Sequence, residues 1–226
     1  MLRDSLPPYQ LPKSHDLSVP DNHEVEHILL FIDKKVPEFP DYYKTIKDSD
    51  RENRISDFLV NHLQLCKIEN NQDYFPYDFR KNPTQESSGK ETDIGVFVLT
   101  RDRKPSPIIE FEAKRFSENS SNEQYVYGDR GGIERFKRGH HSSHLKVCGM
   151  FAYVQNRTIE EWFLKVNGWL TKQFNTNTDN TIDWLENEQL SKYASLSTVE
   201  KYWSSHTRKT LKDEISLWHY FINLTT

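Results

Sequence analysis

Ile55, Phe58, Leu59, His62 and Leu63 recur at the three- and four-residue spacing of one helix face. Ser49 and Glu52 have the spacing of a capping box, so this helix is expected to begin near Asp50. A second amphipathic helix is expected after Thr158, which is spaced from Glu161 in the same way. It carries Ile159, Trp162, Phe163, Val166, Trp169 and Leu170 on one side, which assigns both tryptophans to a core. Between these helices, residues 74–80, 92–100, 108–116 and 146–154 are rich in β-formers and read as strands. Gly131 and Gly132 open a further helix, expected to run on through the sequence that ends at Leu145.

The flanks are less regular. A short helix near His23–Lys34 precedes a turn at Pro37 and Pro40, and residues 1–22, with Pro7, Pro8, Pro12 and Pro20, read as an extended arm. Helical pieces are expected near 181–190 and 197–206, before a final strand at Ile215–Leu224. The order predicts an α/β fold: a central mixed sheet flanked by helices, with a helical C-terminal extension. Residues 23–226 form one domain in this reading, with a core at about 50–155 and the C-terminal helices and final strand in 156–226.

A length of 226 residues suits one domain, and an aromatic content of 13% lets large side chains fill its interior. The formal net charge of -4 excludes a protein coated in basic residues, so any nucleic acid must meet a local patch. Cys66 and Cys148 fit no paired zinc or redox spacing and read as reduced thiols. The first residues lack the apolar run of a signal peptide, and Ile28–Ile32 is too short to span a bilayer. The expectation is a soluble, cytoplasmic protein with no membrane partner.

Candidate chemistry gathers on the strand at 108–116. Alternation puts Glu110, Glu112 and Lys114 on one face and Ile109, Phe111 and Ala113 on the other. Two carboxylates and a lysine opposite an apolar face describe either a solvated surface or a cleft. Asp93, at the start of the preceding strand, comes near Glu112 if the two strands pair as a hairpin. Hard divalent cations such as Mg2+ take one or two carboxylates together with water and substrate phosphate.

Asp93 followed by Glu112-Ala113-Lys114 resembles the D…(D/E)xK signature of the PD-(D/E)xK, or restriction-endonuclease-like, nuclease superfamily. The resemblance covers roughly residues 50–155 in motif and element order, with Thr92 in place of the signature proline. It implies a restriction-endonuclease-like core and hydrolysis of DNA phosphodiesters with Mg2+ or Mn2+. It further implies metal ligation by Asp93, Glu112 and the Ala113 carbonyl, and a catalytic role for Lys114. Many relatives of this kind carry a glutamate on the first helix that approaches the metal; here that residue would be Glu52, which the capping box also claims. Glu110 shares the catalytic face, where such a neighbour is ordinarily solvated.

Arg130, Arg135, Lys137, Arg138 and His140 follow the ExK strand and form the expected phosphate-binding surface. His140, His144 and Cys148 would make a three-ligand metal site on a continuous helix, but the strand reading of 146–154 breaks that spacing. The resemblance suggests restriction or antiphage defence, action as a homodimer, or reliance on a partner such as an ATPase or targeting subunit. Two rival readings stand beside it: an RNA-directed nuclease, and a catalytically inactive nucleic-acid-binding or scaffold subunit.

Overall fold

The apolar stripes form helices where their spacing places them. The structure, a computed structural model, describes residues 23–69, 75–82, 92–99, 105–118, 120–128 and 130–225. The expected arm at 1–22 and most of the loop before Asp93 lie outside the described residues. Helix α1 (His23–Lys35) buries Val25, Ile28, Leu29, Phe31 and Ile32. A single 3-10 turn (Val36–Glu38) leads into α2 (Phe39–Ile46), where a turn alone was expected. Pro37 and Pro40 each stand in a first helical turn, where the missing N–H has no intrahelical acceptor to lose. Helix α3 (Glu52–Glu69) turns Ile55, Phe58, Leu59, His62, Leu63 and Cys66 inward.

The strands are β1 (Tyr77–Lys81), β2 (Ile94–Val98), β3 (Ile109–Phe116), β4 (Val147–Val154), β5 (Ser191–Leu196), β6 (Val199–Arg208) and β7 (Asp213–Asn223). They make one seven-stranded mixed sheet in the order β1-β2-β3-β4-β7-β6-β5. β1, β2 and β3 form an antiparallel meander, β4 lies parallel to both β3 and β7, and β5, β6 and β7 are antiparallel. Helices α1–α3 cover one face over Phe111, Ala113, Phe151 and Tyr153. Helix α4 (Gly132–Lys137) and helix α5 (Ile159–Thr176) pack with the opposite face, where Phe116, Met150, Ala152, Tyr202 and Phe221 are buried. Central strand β4 is covered from both sides and so lacks polar alternation. The capping box of Thr158 and Glu161 is fully formed at the start of α5.

Two expectations are corrected. The C-terminal part is not a helical extension: β5, β6 and β7 carry it into the same sheet. The cause lies in β6, whose inward face at Tyr202, Ser204, His206 and Arg208 is largely polar, so its period of two is invisible to a hydrophobic reading. The helix opened by Gly132 ends at Lys137, two residues before Gly139 at φ +67°, a left-handed position that terminates helices. Among the described residues, no helix is long and apolar enough to cross a membrane.

Candidate active site

Strand β2 begins at Ile94, which pairs with Phe111, so β3 beyond Phe111 has β4 on one side and, among the described residues, no strand on the other. Two amides on that uncovered edge take side-chain acceptors instead. The Ala113 N–H donates to Asp93 Oδ2 at 2.7 Å. The Arg115 N–H donates to Glu52 Oε2, also at 2.7 Å. Unpaired edge amides thus fix the acid that precedes β2 and the acid that opens α3.

The antiparallel register sets Asp93 beside Glu112, as the hairpin reading expected. Glu112 is buried, and its Oε1 accepts from Lys114 Nζ at 2.7 Å and from Arg135 Nη1 at 3.0 Å. Lys114 Nζ also donates to the Ala113 carbonyl at 3.0 Å and lies 3.7 Å from Glu52 Oε1. Asp93, Glu112, Lys114, Glu52 and the Ala113 carbonyl therefore surround one small volume. The Glu52 carboxylate accepts from β3, while Ser49 Oγ accepts from the Arg51 N–H.

The electrostatics of the cluster are unbalanced. Burial, then the negative charges of Glu112 and Glu52, push the Asp93 carboxyl up to about 7, against Lys114 and the Ala113 amide. Burial works against the Lys114 charge, but Glu112, Glu52 and Asp93 outweigh it and raise the ammonium's pKa. Three carboxylates share one lysine and one arginine, and every candidate ligand atom is a hard oxygen. That donor set fits Mg2+ or Mn2+, whose charge would offset the burial and repulsion that raise the Asp93 carboxyl.

Helix α4 closes against the site. A Cβ on Gly132 would fall 2.3 Å from Met150 Cε, which would have to swing aside, 3.2 Å from the Tyr125 carbonyl and 3.5 Å from Glu112 Cγ, so glycine fits this close approach best. The approach brings Arg135 to Glu112. The rest of the expected phosphate surface divides. Arg130 and His140 are exposed, while Arg138 is held by Glu134 and Asp179. Lys137 is a correction: its side chain is fully buried, 2.5 Å from Glu188 Oε1, and donates to the Thr207 carbonyl. Burial works against the Glu188 charge, yet His206 and Lys137 hold its carboxyl down at about 2.

Glu110 corrects its expected solvation as well. It is completely buried and accepts from Thr92 Oγ1 at 3.1 Å and from Ser142 Oγ. His140 and His144 are exposed while Cys148 is buried in β4, and among the described residues these three form no ligand group. The lysine pair Lys137–Glu188 escaped the sequence because Glu188 stands in a 3-10 turn without periodicity. Arg135 was grouped with the phosphate surface, and its contact with Glu112 had no signal in spacing alone. Compared with protein-family models, curated proteins and solved structures, the chain matches none.

Proposed function

We propose that this protein is a metal-dependent nuclease that hydrolyses phosphodiester bonds in DNA, as the PD-(D/E)xK resemblance implies. The observation that carries the reading is the meeting of Asp93, Glu112 and Lys114, with Glu52, at the uncovered edge of β3. Asp93, Glu112 and the Ala113 carbonyl would hold Mg2+ or Mn2+. When bound, such a cation polarises a phosphate oxygen and lowers the pKa of a coordinated water. Lys114, kept charged by its carboxylate neighbours, is placed to orient the attacking water and to offset charge on the pentavalent phosphate. Arg135 sits beside Glu112 with a guanidinium fork suited to a phosphate oxygen once its present partner turns to the metal. Arg130 and His140 extend the polar rim available to the backbone on either side.

A role in restriction or antiphage defence, a homodimer that cuts both strands, and a targeting or ATPase partner are extensions of this proposal. Digestion of plasmid, single-stranded DNA and RNA with Mg2+, beside the same reactions in EDTA, tests it. Metal-dependent cleavage of DNA is expected. Cleavage of RNA alone would redirect the substrate, and intact substrates throughout would contradict the reading.

A further inference from the structure

Away from β3, three side chains of different donor type meet where the 3-10 turn after α1 packs on α3. One carboxylate oxygen of Glu38, one ring nitrogen of His62 and Sγ of Cys66 all lie within 4.8 Å of one another. We infer that Glu38, His62 and Cys66 form a binding site for a borderline-soft divalent transition metal, Zn2+ foremost. This inference is independent of the nuclease reading.

Three observations support it. His62 and Cys66 are four residues apart on α3 and share one helix face, the spacing at which two helical side chains chelate one ion. His62 Nε2 lies 2.9 Å from the Lys35 carbonyl oxygen, which can only accept, so Nε2 carries the proton and Nδ1 presents a bare lone pair. That backbone carbonyl is the kind of outer partner that orients a metal-bound histidine. The Cys66 sulfur lies beside the ring, 3.6 Å from His62 Nε2 and 3.9 Å from Nδ1. Tetrahedral zinc with Zn–S of about 2.3 Å and Zn–N of about 2.0 Å separates its sulfur and nitrogen donors by roughly 3.5 Å, a small adjustment from this geometry.

The donors are also suitably mobile and suitably fixed. His62 and Cys66 are buried and held by α3, whereas the Glu38 side chain is 55% exposed and pairs with Lys35 at 3.3 Å. Glu38 can exchange that partner for a metal without disturbing the core. Thiolate, imidazole and carboxylate ligands favour zinc over magnesium, and water would complete the coordination. Binding would release the thiol proton to solvent. The consequence for the fold is a clip between the turn after α1 and α3, the helix whose first residue is Glu52.

Titration of the full-length, metal-stripped and reduced protein with Co2+ tests the site. One equivalent is expected to produce a near-ultraviolet thiolate-to-metal charge-transfer band together with visible bands of tetrahedral coordination. Cys66→Ser is expected to abolish the charge-transfer band. Glu38→Ala, at an exposed position, leaves the fold intact and is expected to weaken Co2+ binding by at least the roughly 10–100-fold that loss of an outer partner costs. The oxygen donors around Asp93 cannot produce a thiolate band, so a failure here is distinguishable from failure of the nuclease reading. No band in the wild type, or a band of unchanged affinity in Glu38→Ala, would overturn the inference. Should Cys66→Ser fail to fold, the Glu38→Ala titration decides alone.

Discussion

The Ala113 N–H donates to Asp93 Oδ2 at 2.7 Å, across a sheet edge that β2 leaves open. This bond holds a carboxylate within reach of Glu112 and Glu52, in a partly enclosed place where a second and third negative charge are costly. The edge geometry thus creates the electrostatic stress that a divalent cation, as proposed, would relieve.

That stress has a pH signature. The Asp93 carboxyl is raised to about 7 when folded, against about 3.9 in an unfolded chain. A raised pKa favours the folded state fully at low pH, and the contribution is lost as pH climbs through the folded value. Asp93→Asn should therefore match the wild type near pH 4 and exceed it by about 1–3 kcal/mol at pH 8 in EDTA, after discounting for partial solvent access. Urea unfolding at the two pH values measures this; parallel curves would show that Asp93 is not under electrostatic stress.

Lys137 should behave as an interior residue, not as a phosphate contact. Lys137→Met leaves Glu188 buried without its ammonium and should cost about 3–5 kcal/mol. Adding Glu188→Gln should recover part of that loss. Chemical denaturation reads the cost, and DNA affinity of the folded variant should be unchanged. A variant of normal stability with weakened DNA binding would return Lys137 to the surface role.

Arg135 is predicted to matter for turnover while leaving the core intact. Arg135→Ala removes a charge-assisted hydrogen bond worth about 1.5–3 kcal/mol, so cleavage should slow by roughly 10–100-fold. Arg135→Lys should recover only part, because an ammonium cannot reproduce the planar fork. Single-turnover rates at fixed salt measure both, and full recovery by lysine would reduce the contribution to charge alone.

Much of this was legible in the chain. Asp93, Glu112 and Lys114 could be brought together because a strand's period of two and a hairpin are local rules, and β2 and β3 obey them. Glu52 satisfied two local patterns, and its contact with the Arg115 amide, distant in sequence, had no local signal. Strand β6 was hidden because Ser204, His206 and Arg208 fill its buried face. Their partners His219, Glu188 and Asp213 lie on other segments. Lys137 was misplaced for the same reason: its burial depends on Glu188, 51 residues away. His62 and Cys66 share a four-residue helical spacing, but Glu38, 24 residues before His62, has no local pattern that links it to them.

The most direct measurement compares plasmid cleavage in Mg2+ by the wild type, Glu112→Gln and Lys114→Ala, each shown to be folded by circular dichroism. If β3 carries the chemistry, the wild type cuts, and each substitution slows cleavage by roughly 100-fold or more, the scale on which loss of one preorganised charge acts. Equal rates in all three proteins would contradict the account.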